Sequence, residues 1–191
     1  MEKISLCVFG VNGVGKTTLL DAVSGLLTEP ITMARGSTIL KETLNVASYE
    51  ALESMSAAEK KQALMEGMAS LVMNAATAVT IVDTHLVVPI RASGRMTAED
   101  MWDDRMLEIF QGFVYISAAA PLVAERRRAD TGRSLRAAAA IPQLCAEDLR
   151  LNESRWDDIS ARINRKKVVM NDQTVLVGAT KLAGFLQSLR T

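Results

Sequence analysis

Ile4-Ser5-Leu6-Cys7-Val8-Phe9-Gly10-Val11-Asn12-Gly13-Val14-Gly15-Lys16-Thr17-Thr18 decides the fold. The first six residues make a short apolar run suited to a buried strand, and the pattern over 17–27 is helical. Between the two stands G-x-x-x-x-G-K-[ST]. Glycines at these positions let successive backbone N–H groups turn inward around a β-phosphate, and the following helix adds its positive N-terminal end. Gly10, Asn12, Gly13, Val14 and Gly15 compose the cradle, Lys16 would bridge the β- and γ-phosphates, and Thr17 would ligate Mg²⁺. A strand before the loop and a helix after it are the context the motif requires, so the chain is expected to bind a nucleoside triphosphate.

The remaining composition bounds what can be built around that loop. A length of 191 residues suits one domain over 1–191 with a sizeable core. The 22 basic and 22 acidic side chains cancel, so no global field draws the chain to DNA or an anionic membrane, and neither is expected as a partner. No apolar stretch approaches the ~20 residues that span a bilayer, and the first residues read as a strand instead of a signal peptide. A cytoplasmic protein is expected. Cys7 and Cys145 lie far apart, without a C-x-x-C partner or a histidine cluster, and read as reduced structural thiols. Ten methionines and few aromatics predict an adaptable core more than a stacking surface.

Strands and helices alternate along the chain, which predicts a parallel sheet covered on both faces. A second strand spans 31–34, and Ser37 is positioned to cap a helix reaching about Val46. Ser56 and Glu59 form a capping box ahead of Leu64, Met68, Leu71, Val72 and Ala75 at helical spacing. A third strand spans 78–83. Thr97 with Asp100 predicts a helix cap, the helix running to about Phe110. Strand four spans 113–117, Pro121 opens the next helix, a polar stretch covers 130–136, and a helical region follows over 142–163. Strand five spans 167–170, and Leu176, Ala179, Leu182, Ala183 and Leu186 stripe the last helix.

Asp83 ends a buried strand, where an acid faces the phosphate loop at the carboxyl edge of the sheet. It is expected to hold Mg²⁺ directly or through water; the alternative is an acid capping the loop after the strand. His85, the only histidine, either orients its neighbours or contacts substrate and positions water. One histidine without ligand partners argues against a metal site of its own. Arg126, Arg127, Arg128, Arg133 and Arg136 stand within eleven residues, interrupted by Thr131-Gly132. That arrangement predicts a phosphate-contacting flap, since a planar guanidinium grips a transferring phosphoryl group bidentately. Arg133 and Arg136, beyond the turn, are the expected contacts, and Arg126 to Arg128 partly serve as helix-end salt bridges. Arg91 either holds an acceptor phosphate or lies on the surface.

With these pieces in order, the chain resembles the P-loop nucleoside monophosphate kinases. Within them it is most like the archaeal-type adenylate kinases and the related adenylate kinase and ATPase of ribosome biogenesis. The likeness rests on Gly10 to Thr18, Arg35-Gly36-Ser37, Met55-Ser56-Ala57-Ala58-Glu59-Lys60-Lys61 and Val82-Asp83-Thr84-His85. It implies a three-layer α/β/α P-loop NTPase fold with a five-stranded parallel sheet, a monophosphate-binding segment over 36–76 and a lid over 130–138. It also implies γ-phosphoryl transfer from ATP·Mg²⁺ to a nucleoside monophosphate, Thr18 in the nucleotide site, Asn171 near the donor base and a frequent homotrimer.

Two departures bear on the acceptor. No arginine occurs between Arg35 and Arg91, and Tyr49, Glu50 and Glu53 stand where the archaeal pattern has basic residues. Arg35, Gly36, Lys41, His85 and Arg91 remain as the acceptor-binding set. The acceptor is a monophosphate or another phosphorylatable small molecule. Asn12 stands where proline is common in these loops. A partner-stimulated NTPase switch and a non-enzymatic nucleotide sensor are the rival readings.

Overall fold

A computed structural model describes residues 3–48, 51–52, 54–92, 95–130 and 141–190, and of residues 91, 92, 95 and 96 the backbone alone. β1 (Ile4–Phe9) is buried along its whole length and sits at the centre of a parallel sheet. It is flanked by β3 (Val79–Thr84) and β6 (Gly112–Ser117), with β2 (Ile31–Arg35) and β7 (Lys166–Met170) at the edges. The five strands run in the order β2-β3-β1-β6-β7, as expected of this fold.

Buried on both faces, the central strands read as unbroken apolar runs, yet their side chains sort by the two-residue period of a strand. Leu6, Val8, Ile81, Val114 and Ile116 enter one core; Cys7, Phe9, Val82, Phe113 and Tyr115 enter the other. The first core is roofed by α1 (Lys16–Leu26) and α7 (Val175–Ser188), through Leu19, Val23, Leu182 and Leu186. The second is covered by α2 (Gly36–Thr43) and α3 (Ala57–Asn74), through Ile39, Leu64 and Met68. The result is a three-layer α/β/α P-loop kinase fold.

The few aromatics are not scattered. Phe9 lies 6.1 Å from Trp102 and 6.3 Å from both Phe113 and Trp156, centroid to centroid, within attractive range for offset and tilted rings. This cluster makes the second core more aromatic than the composition suggested, although Met65, Met68, Met101 and Met106 are buried beside it.

Most predicted elements stand, including the capping box. The Glu59 amide donates to Ser56 Oγ at 3.2 Å, and the Ser56 amide donates back to Glu59 Oε2 at 2.9 Å. Two predictions are corrected. Ser37 does not cap α2, which begins at Gly36 with Arg35 as its N-cap residue and no side-chain cap bond. That helix stops at Thr43 because Asn45 turns left-handed at φ 52°, and the Val46 and Asn45 amides bond back to the Lys41 and Glu42 carbonyls, a helix stop that asparagine tolerates.

The larger correction concerns 97–110. Thr97 and Asp100 do not open a helix: they lie on β5 (Arg95–Asp100), antiparallel to β4 (Val87–Ala92). Only α4 (Met106–Ile109) is helical there. Asp100 is engaged instead by the Trp102 amide and by Arg155. Asn152, fully buried on α6 (Pro142–Ser160), donates to the Val87 carbonyl and accepts from its amide, substituting for a neighbouring strand. Helix α5 (Ala120–Ala129) carries Pro121 in its first turn and packs on α6. Among the described residues, no helix is long and apolar enough to cross a membrane.

Candidate active site

Parallel strands deliver their following loops to one edge of the sheet, and at such an edge open α/β folds bind ligands. β1 ends at Phe9, β2 at Arg35 and β3 at Thr84, and the loops beyond them meet at a cleft of about 800 Å³. Asn12, Gly13, Gly15, Lys16, Thr17 and Thr18 line one part of it, together with Asp83 and His85. Arg35, Gly36 and Ser37 line another.

The glycines are required by geometry. Gly15, at the N-cap of α1, has φ 86°, and a Cβ there would stand 2.6 Å from Asn171 Nδ2. Gly10 has φ 154°, and its Cβ would stand 2.5 Å from the Ile116 carbonyl. Side chains would both strain the backbone and collide with fixed atoms.

Lys16 is 7 % exposed in its side chain, and its ammonium donates to the Gly10 and Val11 carbonyls at 2.7 and 3.3 Å, 3.5 Å from Asp83 Oδ1. His85 Nδ1 lies 2.7 Å from the same Gly10 carbonyl. A carbonyl can only accept, so the proton of that bond sits on Nδ1. The histidine therefore does orient the loop, and it lines the cleft as well.

Asp83 and Thr17 both face the cleft beside Lys16. A carboxylate and a hydroxyl are hard oxygen donors, suited to Mg²⁺, which keeps most of its ligands from water and phosphate. Among the described residues there is no cluster of three or more His, Cys, Asp or Glu side chains able to hold a metal.

The arginine run divides differently from its sequence reading. Arg126 lines the cleft, and its two terminal nitrogens donate to the Val14 carbonyl at 2.9 Å and the Asn171 carbonyl at 3.0 Å. Asn171 adds its own bond, Nδ2 to the Val14 carbonyl at 2.7 Å, while its Oδ1 is buried without a hydrogen-bond partner among the described residues. Arg127 is 4 % exposed: Nε holds the Asn12 carbonyl at 2.9 Å and Nη1 pairs with Asp148 at 2.8 Å. These two arginines thus hold the outer rim of the loop. Arg128 bonds only within its helix among the contacts described, Nε to the Ala124 carbonyl at 3.4 Å.

Arg133 and Arg136 lie outside the described residues, as does the side chain of Arg91. Lys41 stands in the last turn of α2 and is not part of the cleft lining. Two cleft residues escaped the sequence reading. Lys60 and Glu99 form an ion pair with both carboxylate oxygens 2.7 Å from the ammonium. Lys60 stood only within the Met55–Lys61 stretch that carries the family resemblance, with no role given to it, and Glu99 stood in a strand read as a helix start. The alternation after Val87 and the Ser93-Gly94 dipeptide were the available hairpin signal.

Fold and cleft together define a P-loop kinase architecture. The AAA domain family model matches residues 9–141, and the chain belongs to that family. Among solved structures, shikimate kinase from Acinetobacter baumannii, in complex with shikimate, superposes with a TM-score of 0.64 at 14% identity, over 97% of this chain and 94% of that one. The shikimate kinases of Bacteroides thetaiotaomicron (TM-score 0.59, 12% identity, 96% and 98% covered) and Aquifex aeolicus (0.59, 14%, 97% and 97%) are similar in the same way. At such identities the likeness is one of fold. No curated protein matches the chain.

Proposed function

We propose that this protein is an ATP-dependent phosphotransferase of the nucleoside monophosphate kinase type, adenylate-kinase-like in plan, moving the γ-phosphoryl of ATP·Mg²⁺ to a monophosphate acceptor. The observation that carries this reading is the continuity of the cleft: the phosphate loop, Asp83 and the Arg35-Gly36-Ser37 corner line one space, so a donor phosphate and an acceptor oxygen can meet without a covalent enzyme intermediate. Transfer between phosphate oxygens is mainly positioning and charge stabilisation. Loop amides and Lys16 hold the triphosphate, Asn171 and Arg126 border the donor base, and Arg35 grips the acceptor phosphate. Thr17 and Asp83 would hold Mg²⁺, which would supply neutralisation of phosphate charge when bound. Arg133 and Arg136 supply the closing cations and exclude water.

A second reading, a kinase for a small non-nucleotide acceptor, is favoured by the lack of arginine between Arg35 and Arg91 and by the fold shared with shikimate kinases. A coupled assay of ADP release from ATP·Mg²⁺ separates the readings. Stimulation by one ribo- or deoxyribonucleoside monophosphate, well above the ATP-only rate, is the expected result. Stimulation by none moves the small-molecule kinase or a partner-stimulated NTPase to first place.

A further inference from the structure

Part of the cleft wall comes from the β4–β5 hairpin, which lies outside the central sheet. Val88 and Glu99 are a cross-strand pair of that hairpin, and both line the cleft. A two-stranded hairpin is marginally stable by itself, so its place has to be fixed from elsewhere. The neighbouring pair, Val87 and Asp100, shows how. Asn152 Oδ1 accepts from the Val87 amide at 3.0 Å, and Asn152 Nδ2 donates to the Val87 carbonyl at 3.1 Å. Arg155 Nε and Nη2 donate to the two Asp100 carboxylate oxygens at 3.2 and 2.7 Å. Both strands of one pair are thus held from α6, and the next pair along faces the ligand space.

Asp148, Asn152 and Arg155 stand four and then three residues apart on α6, which puts them on one helix face. Asp148 pairs with Arg127 at 2.8 Å, and Arg127 holds the Asn12 carbonyl of the phosphate loop at 2.9 Å. One face of one helix therefore carries ties to both the phosphate loop and the hairpin, about 10 Å apart along the axis at ~1.5 Å per residue. Asn152 is fully buried, and its Nδ2 also donates to the Asp148 carbonyl at 3.0 Å, which locks the amide between helix and strand. Neither Asn152 nor Arg155 lines the cleft. Their hold passes on to α3, where Lys60 donates to both Glu99 oxygens and Lys61 donates to the Trp102 carbonyl, each at 2.7 Å.

Resting on the phosphotransferase reading above, we infer that α6 sets the distance between the phosphate loop and the hairpin wall, with Asn152 and Arg155 as positioning residues for the acceptor. Transfer between two bound phosphates depends on that distance, because the catalytic gain lies in their mutual geometry.

The test compares the wild type with two variants. Asn152→Leu keeps the side-chain volume and removes both strand bonds; Arg155→Gln removes a partly exposed ion pair, which contributes little to folding. Hydrogen exchange is read by mass spectrometry over 10–18, 86–90 and 97–101. Expected in Asn152→Leu is exchange about tenfold faster over 86–90 and 97–101, the scale of a buried polar group left unpaired, with 10–18 unchanged. In Arg155→Gln the rise is about threefold and confined to the hairpin. ADP release from ATP·Mg²⁺ is measured alongside, with the nucleoside monophosphate that stimulates the wild type most. There kcat/KM for the acceptor falls by about the same factors, while KM for ATP stays within about twofold.

Hairpin exchange unchanged in both variants, exchange that rises equally over 10–18, or a loss shared equally by ATP and acceptor overturns the inference and leaves α6 as packing alone. Should Asn152→Leu not fold, Arg155→Gln decides by the same criteria. If no monophosphate stimulates the wild type, the phosphotransferase reading falls, and the exchange pattern alone decides whether α6 fixes the wall. A stimulating acceptor whose kinetics both folded variants leave at wild-type values defeats this inference alone.

Discussion

The Lys16 ammonium, enclosed and bonded to two loop carbonyls, occupies the mouth of the loop without distorting it. The same Gly10 carbonyl also receives His85, so the loop keeps a partner when the lysine is removed. Lys16→Ala is therefore expected to leave the near-UV circular dichroism unchanged and to lower phosphoryl transfer by 10²-fold or more, about the cost of deleting one preorganised donor from a developing anion. Undiminished turnover in the folded variant would remove Lys16 from the mechanism. Cys7 shows the opposite case, a nearby group without a chemical role. Burial, and secondarily the Asp83 carboxylate, push its thiol well above the ordinary range, and a thiol kept neutral is a poor nucleophile.

Between elements, the strongest coupling runs from the arginine helix to the phosphate loop. Arg127 on α5 is held by Asp148 on α6, and at the same time holds the Asn12 carbonyl. Its Cγ also sits 3.0 Å from where a Cβ on Gly13 would be, so loop and guanidinium are packed as one unit. Helices α5 and α6 bracket 131–140, and a contact between them thus fixes the loop from the side on which the proposed lid attaches. Asp148→Ala removes the paired carboxylate from a buried guanidinium, which costs about 3–5 kcal/mol. The expected outcome is a lower urea midpoint together with weaker binding of a fluorescent ATP analogue. A midpoint shift with unchanged nucleotide affinity would make the pair a purely structural tie. Arg127 was legible as one of three arginines expected to serve partly as helix-end salt bridges, which its pair with Asp148 fits; its burial depends on α6 folding back from more than ten residues downstream, which no local pattern announces.

At the scale of the whole molecule, what could be read from sequence followed from chain-local physics. The β1 run, the glycines, the Ser56–Glu59 box and the last helical stripe are all encoded within a few residues of where they act, and the layer order follows from their alternation. The β4–β5 hairpin and the Lys60–Glu99 pair were not legible in the same way. They depend on contacts such as Asn152 with Val87, 65 residues apart, that decide an ambiguous segment after the sheet has formed. Hydrogen bonds and ion pairs to carboxylates, some local and some long-range, also set how the fold responds to acid. Hydrogen bonds from Arg105 hold Asp103 down to about 2, and bonds from Trp102 and Arg162 lower Asp104. Arg190 lowers Glu29 and Ser56 lowers Glu59. Each folded value lies below the unfolded one, so each contribution is complete above the unfolded pKa near 4 and disappears as pH falls through the folded value. Cys7 and Tyr115 are shifted the other way, both chiefly by burial; their contributions are complete below the unfolded values of about 8.5 and about 10 and decline as pH rises beyond them. Thermal stability is therefore expected to be level from about pH 5 to about pH 8 and to fall on both sides. Calorimetric melting across pH 2–10 checks this. Asp103→Asn should flatten part of the acid limb and Cys7→Ala part of the alkaline limb, and limbs unchanged by both substitutions would place the titrating ties elsewhere in the molecule.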